Sequence, residues 1–595
     1  MSEENTINPV EFYTKQLEHW KVTRSKVKTK LFWVGMLRLT VFAVTICLIY
    51  LLSNYINIAV VVGVSGMAIF LYMVSKNADI KLEKKRCDKL IELNELEIEF
   101  SKGNFKNAET GEEFIGENHY YNQDIDLFGH GSIFQYINRT NTEPGRKKLA
   151  ALLNENTIDH IKDKQEAIKE LNDRPKWRQN FQVTAGLIKT AVDHQVILKW
   201  LKNYQSVLPN FIAKLPLIIS LISLSGLVAY GLDLISGSLL SMWFFFGLGI
   251  TGVFLKKVNK LYLSASQMTE TISQYSKLLK DIEDQQFSSH MLIELQNNIQ
   301  NKSKKASEIV ESLAKDLNNL DQRNNIFFAL LANGFFLWDL RYAYRIEQWI
   351  KKFQTTTETW FETIAVFEAY NSLANFAYNR PQHVYPELST NEKDTIKAIQ
   401  LGHPLLNETQ RVSNDFAINN QDFYIITGAN MAGKSTFLRT VALNIVMANI
   451  GLPVCAKEFV YRPIKLISSM RTSDSLVNDE SYFFSELKRL KYIVNEIEKD
   501  RYFIILDEIL KGTNSKDKAE GSAKFIERLV ASNSTGLIAT HDLSLCALST
   551  SLPQVENYYF DAEIVNNELY FDYRFKNGIC KNMNASFLLK KMEIV

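Results

Sequence analysis

The chain has 595 residues, a formal net charge of +2 and 46% hydrophobic residues, which allows several domains around a substantial core. So even a charge balance excludes an overall acidic or basic surface, and any basic face must be local. Its five cysteines, Cys47, Cys87, Cys455, Cys546 and Cys580, form no CxxC pair; this argues against a disulfide scaffold or a thiolate zinc site and for reduced thiols.

Residues 1–30 are polar, with no secretory pattern before the first apolar run. Residues 31–52 are apolar apart from Arg38 and a few small polar groups, Ser53-Asn54-Tyr55 makes a turn, and residues 56–74 are apolar again. A bilayer span needs ~20 such residues. Lys21, Arg24, Lys26, Lys28 and Lys30 precede the pair, and Lys76, Lys81, Lys84, Lys85 and Arg86 follow it. By the positive-inside rule, residues 31–76 form a transmembrane hairpin with both ends in the cytoplasm, and Arg38 snorkels to the inner surface. The pattern repeats at 215–232 and 238–255, flanked by Lys202 and Lys214 on one side and Lys256, Lys257 and Lys260 on the other. Residues 215–255 therefore read as a second hairpin, with buried core helices as the alternative. A third apolar run, 326–338, is short and interrupted by Asn333-Gly334, and is expected to be a core helix of the soluble part. The spans lack acidic residues and any polar relay, which favours an anchor over a transport path.

Residues 77–214 and 256–385 read mostly as helices. The clearest stretch, 273–320, has apolar residues at helical spacing and predicts a long arm or pair of arms, or else a solvated coiled coil. Residues 381–386 resemble a linker. Across 386–595 short apolar strands (423–427, 502–506 and 536–539) alternate with helices, the pattern of an α/β domain with a mainly parallel sheet. The fold class is thus multi-domain: four transmembrane helices in two hairpins, a mostly α-helical region, and a C-terminal α/β P-loop domain.

The chemistry lies in that last domain. GANMAGKST, comprising Gly428, Ala429, Asn430, Met431, Ala432, Gly433, Lys434, Ser435 and Thr436, joins an expected strand to a helix that Lys434 opens and Gly451 ends. The glycines let backbone N–H groups approach phosphate oxygens at a helix N-terminus. Lys434 suits the β- and γ-phosphates of ATP, and Ser435 suits Mg²⁺. RYFIILDEI places Asp507 at a strand tip, where it can hold Mg²⁺ through its hydration shell. Glu508 beside it can polarise the attacking water. IATHD puts His541 at the end of another strand, within reach of a γ-phosphate.

These segments resemble the MutS mismatch-repair ATPases, whose nucleotide domain is of the ABC type. TGANMAGKSTFLRT is similar to their phosphate loop, LDEILKGTNSKD to their Walker B region, IATH to their histidine switch, and LGHPLL, with His403, to the entry of their ATPase domain. SMRTSDSLVNDESYFFSEL resembles the segment carrying their signature serine, here Ser481. DLFGHGSIFQYINRTNTEPGRKKLAALL, KQEAIKELND and FEAYNSLANFAYNRP resemble parts of their helical core and lever. The likeness is specific over 401–586 and weaker over 126–380. It implies ATP and Mg²⁺ as ligands, a homodimer with composite sites in which Ser481 acts in trans, and engagement of DNA in mismatch repair. Arg411 falls where the family often stacks an aromatic ring on adenine, and its planar guanidinium can stack as well. No Phe-x-Glu wedge is found, and no dimerising module is expected before Val595, so the resemblance is to a variant without the mismatch-reading domain. The second hairpin interrupts the helical core, with no clear clamp.

The expected protein is therefore a membrane-anchored ATPase at the plasma (inner) membrane, with its soluble parts cytoplasmic and the bilayer and DNA as partners. Lys302, Lys304 and Lys305 on one segment, and Arg146, Lys147 and Lys148 on another, are the candidates for DNA phosphates. An ABC-type transporter is disfavoured by only four spans and no LSGGQ-type run. A nucleotide-binding tether without turnover is disfavoured by Glu508, which binding alone does not need.

Overall fold

A computed structural model describes residues 8–116, 119–188, 194–300, 304–471, 482–510, 515–565 and 568–581. Ser481 and Lys302 lie outside them. The helices are α1 (Pro9–Leu51), α2 (Ile56–Ser101), α3 (Ile133–Ile137), α4 (Glu143–Asn154), α5 (Ile161–Asn172), α6 (Pro175–Gly186), α7 (His194–Asn203), α8 (Leu215–Gly231), α9 (Gly237–Ala265), α10 (Thr269–Glu283), α11 (His290–Asn298), α12 (Ala306–Asp321), α13 (Ile326–Phe336) and α14 (Trp338–Asn379). The strands β1 (Glu387–Leu388), β2 (Asp394–Leu401), β3 (Asn414–Asn419), β4 (Phe423–Gly428), β5 (Glu458–Tyr461), β6 (Lys465–Ser469), β7 (Tyr502–Asp507), β8 (Thr535–Ala539), β9 (Val555–Phe560), β10 (Glu563–Val565), β11 (Glu568–Tyr570) and β12 (Lys576–Asn577) follow. Interleaved with them are α15 (Lys434–Asn449), α16 (Tyr482–Ile497), α17 (Ser515–Val530) and α18 (Leu548–Ser551).

Asn8 caps α1 by accepting a hydrogen bond from Val10 N, and Pro9 occupies the first turn, where its missing N–H costs nothing. The 43-residue α1 and 46-residue α2 form a helical hairpin. Its outer part exposes Phe32, Leu39, Ile46, Val61 and Leu71. Its inner part is zipped by Val27, Ile80 and Cys87 and by the Lys21–Glu95 and Arg24–Asp88 pairs. Below these, a buried polar joint fastens the hairpin to the core. Glu97 of α2 accepts from Arg139, Asn375 and Asn379, and Tyr13 of α1 donates to Asn379 Oδ1 at 2.8 Å.

The second apolar hairpin differs from the expectation of four equivalent spans. Three described helical stretches, 9–51, 56–101 and 237–283, have the length and apolar content to cross a bilayer. The helix α8 has only 17 residues, because Pro216 starts it and the turn at Asp233 (φ +57°) ends it. The run at 326–338 is not a core helix either. It is α13, packed on α8 and α9 with Ile326, Phe327, Leu330 and Leu331 exposed. The arm expected at 273–320 is divided into α10, α11 and α12. Ile272, Tyr275, Leu279, Val310, Leu313 and Leu317 bury α10 and α12 against one another and against α14, so these helices belong to the core rather than to a solvated coil. The 42-residue α14 is the spine of the helical region, burying Trp360, Phe367, Tyr370 and Leu373.

The C-terminal domain holds a six-stranded sheet in the order β12-β9-β4-β8-β7-β6. All its pairings are parallel except β12–β9. The three strands read from sequence are thus its central β4, β8 and β7, and such runs, buried on both faces, are what a covered parallel sheet requires. A four-stranded sheet, β1-β5-β2-β3, had no sequence counterpart. The segment 119–126 ties this domain to the helical region. Asp124 accepts from Ser468 Oγ (2.6 Å) and Arg471 N (2.8 Å), and Asp126 pairs with Arg471 (2.9 Å) and Arg439 (3.4 Å).

Candidate nucleotide site

The tips of β4, β7 and β8 and the start of α15 surround a cleft of about 520 Å³. Ligands of α/β sheets bind at such carboxyl ends of strands. The loop 428–433 makes its floor. Gly428 has φ +149°, and a Cβ there would lie 2.6 Å from Phe560 O; Gly433 has φ +102°. Both positions exclude an ordinary side chain, which leaves the backbone open to an anion. Met431 (φ +67°) is turned outward at 77% exposure, Asn430 is exposed, and Ala429 and Ala432 pack inward.

The polar and charged groups converge from three elements, the start of α15 and the ends of β7 and β8. Lys434 Nζ donates to Gly428 O (2.7 Å) and Ala429 O (3.1 Å) and lies 3.3 Å from His541 Nε2. Burial lowers its pKa, while Asp507 and Glu508 oppose that shift. Ser435 Oγ donates to Asp507 Oδ2, so the hydroxyl and the carboxylate already share one point. Glu508 follows β7 with φ +55°, a conformation non-glycine residues rarely adopt, while its N–H still pairs with Ala539 O at 2.9 Å. This turn brings its Oε1 to 3.0 Å from His541 Nε2. One imidazole nitrogen thus faces both an ammonium and a carboxylate. Protonated there, it donates to Glu508; unprotonated, it accepts from Lys434.

His403 lines the cleft, and burial pushes its pKa down to about 4, aided by Arg439 and Arg411, so its ring is neutral. Thr436 lines the cleft too. Arg411 does not: its side chain lies over Gly402, where an added Cβ would meet its Cδ at 2.6 Å. Three aromatic residues line the cleft, Phe437, Phe560 and Tyr573; Tyr573 sits beside Gly433, its backbone carbonyl held by Asn414 Nδ2 at 3.0 Å. Sequence reading missed it because it arrives from a tail 140 residues beyond the loop. The aromatic run ELYFDYRF was its only signal. The donor set suits a Mg²⁺-bound nucleoside triphosphate: an open glycine cradle, a buried lysine, and a hydroxyl and carboxylate meeting at one point.

The basic clusters look different in three dimensions. Arg146 pairs with Glu109 and Glu113, Lys147 with Glu143, Lys148 with Glu362, and Lys305 with Asp284. These pairs reduce the net charge each cluster presents to a phosphate backbone.

A profile of MutS domain V matches residues 424–591. The chain is 31% identical over 244 residues to the human "MutS protein homolog 4", covering 39% of this chain and 25% of that protein. It is 29% identical over 242 residues to the "DNA mismatch repair protein MutS" of Staphylococcus aureus, covering 39% of this chain and 27% of that protein. The chain thus spans about a quarter of the length of these curated relatives. The domain match and the relatives together show a similarity of the C-terminal part of this chain to the MutS family.

Proposed function

We propose that the protein is a membrane-anchored MutS-like ATPase that hydrolyses Mg²⁺-bound ATP as a dimer with composite sites and couples this to DNA. The observation that carries the reading is the convergence of Lys434, Ser435, Asp507, Glu508 and His541 on one glycine-floored cleft. Backbone N–H groups of the loop and the start of α15 would bind the β- and γ-phosphates, with Lys434 neutralising them. Ser435 and Asp507 would hold Mg²⁺, which supplies positive charge to the phosphate oxygens when bound. Glu508 would polarise the attacking water, and the pivot of His541 between Lys434 and Glu508 would report the state of the γ-phosphate. Tyr573 offers a face for the adenine. Ser481, outside the described residues, is assigned to the partner's site by resemblance alone. The exposed apolar surfaces of α1, α2, α8 and α9 and their basic flanks support residence in the plasma (inner) membrane, with the soluble domains cytoplasmic.

The test is Mg²⁺-dependent ATP turnover by the detergent-solubilised protein. Lys434→Ala should abolish nucleotide binding. Glu508→Gln should retain binding and lower turnover by ~10²–10⁴-fold. Equal turnover by wild type and Glu508→Gln would remove the assigned role. Mixing Lys434→Ala with Ser481→Arg chains should restore about one working site per dimer; no restoration despite dimer formation would refute the composite site. Binding to matched and mismatched duplexes across a salt series tests the DNA coupling: a steep salt dependence is expected. No binding in any nucleotide state would refute it.

A further inference from the structure

We propose that α13 is a re-entrant membrane element, dipping into the inner half of the bilayer beside α9 and returning to the side it came from. This rests on the membrane reading above and adds a third lipid-contacting helix to the second hairpin. The sequence of α13, IFFALLANGFF, has no charged residue in its 11 positions. At ~1.5 Å per residue it reaches ~16 Å, about half of a ~30 Å hydrocarbon core. It is therefore too short to cross and too apolar to lie in water.

Its register against α9 gives its direction. At its start, Arg323 Nη2 donates to Asn259 Oδ1 and Asn324 Nδ2 to Tyr262 OH, both at 2.6 Å. At its end, Gly334 meets Gly247 so closely that a Cβ on Gly247 would lie 2.0 Å from Gly334 O, and Phe335 packs on Phe244 with ring centres 5.2 Å apart. From Asn324 to Gly334, α13 thus retraces α9 backwards from Tyr262 to Gly247. Lys256, Lys257 and Lys260 mark the water side of α9, and Gly247 lies inside its apolar run. The helix begins at the polar level and ends within the apolar one.

The return is equally defined. Leu337 takes φ +47°, and the chain turns by 81° into α14. Arg323, before the helix, and Asp339, after it, form an ion pair at 3.2 Å with side chains only 12% and 3% exposed. A span would carry these two charges to opposite surfaces; here they meet, with Asp339 N also donating to Asn333 Oδ1 at 2.9 Å, so the pair ties the start of α13 to its end. The face of α13 on α9 buries Ala332, Asn333 and Gly334. The other face leaves Ile326 at 70%, Phe327 at 82% and Leu331 at 59% exposure, beside helices that expose Leu221, Leu224, Met242 and Phe245. Acyl chains are the occupant that covers all these surfaces at once.

The test places benzoylphenylalanine at Phe327, with Phe246 of α9 and Phe42 of α1 as span controls and Phe484 of α16 as background, in the full chain in phospholipid vesicles. After illumination, mass spectrometry should find phospholipid adducts at Phe327, Phe246 and Phe42 above the Phe484 level. Adducts at Phe246 and Phe42 but not at Phe327, or a chain-to-chain product at Phe327, would overturn the proposal and leave the anchors standing. No adduct at any of the three would overturn the membrane reading itself. In a Cys47→Ser background, cysteines at Asn325 and Arg341 should react with an impermeant maleimide from one and the same side. Reaction from opposite sides would make the bent pair a span and refute re-entry.

Discussion

Replacing Glu97 with alanine removes the acceptor that holds the first hairpin to the helical core. The Glu97 side chain is fully buried and that of Arg139 is 5% exposed. Glu97 Oε1 accepts from Arg139 Nε and from Asn375 Nδ2 (2.9 Å), and Oε2 accepts from Arg139 Nη2 (3.2 Å) and Asn379 Nδ2 (2.8 Å). In Glu97→Ala the guanidinium keeps Tyr136 O, Asn138 O and the Phe100 ring, but its charge is left buried and unpaired. Stranding one partner of a buried pair costs ~3–5 kcal/mol, and the two amides lose an acceptor worth ~1 kcal/mol each. Partial relaxation offsets part of that sum and leaves about 4 kcal/mol as the expectation, a large share of the ~5–15 kcal/mol that holds a domain folded. Glu97→Met combined with Arg139→Met leaves no buried charge and should recover most of the loss. The assay is thermal unfolding of the solubilised chain, with limited proteolysis near residue 104 reporting detachment of α2. A loss below ~1 kcal/mol for Glu97→Ala, or a double variant as unstable as the single one, would refute the reasoning.

Three further outcomes are expected. Asp124→Ala should destabilise by ~2–3 kcal/mol, because it orphans Ser468 Oγ and Arg471 N at a buried joint, whereas Asp126→Ala, with its half-exposed pairs, should cost under ~1 kcal/mol; denaturant midpoints measure both. Burial raises the pKa of Glu368 to about 7 despite donors from Thr142 and Asn141. The folded state then holds its proton more tightly than the unfolded chain, so this contribution is full below about pH 4.5 and is lost as pH rises through about 7. Glu368→Gln should flatten that slope, worth at most ~3 kcal/mol, in melting curves across the interval. Gly428→Ala should abolish nucleotide binding while leaving the fold intact in circular dichroism, since its Cβ would meet Phe560 O at the floor of the cleft.

The strand–loop–helix at 423–449 was legible because its signal is local: nine consecutive residues and the two elements they join carry it. Asp507, Glu508 and His541 were legible because a strand of buried apolar residues announces its own tip. What escaped was set by distant partners. The α13 run reads as core by composition, and only its exposed Phe327 and its contact through Gly334 with Gly247 show that it sits outside. The helical period across 273–320 is real, yet the period alone does not say where a helix stops, and the chain breaks between α10 and α11 and again before α12. Arg411 was assigned to the cleft by resemblance to the family's adenine-stacking position, whereas Val412 and Gln410 line it and Arg411 turns to Gly402. The pairing of Arg146, Lys147 and Lys148 with carboxylates was invisible because their acids come mostly from other segments.

The joint around Glu97 and Tyr13 has a mechanical consequence. With α1 and α2 running unbroken from their apolar tips into it, and α9 continuing directly towards α10, the body stands on two stiff legs rather than one swivel. A body on one leg can spin; in the proposed membrane-anchored state, a body on two could not turn without dragging the second through the bilayer. In a bilayer-held dimer, a closing stroke would sweep four such legs sideways through lipid. Lipid is far more viscous than water, so the pace of that stroke would be set by drag in the membrane plane, and it would slow as the bilayer stiffens.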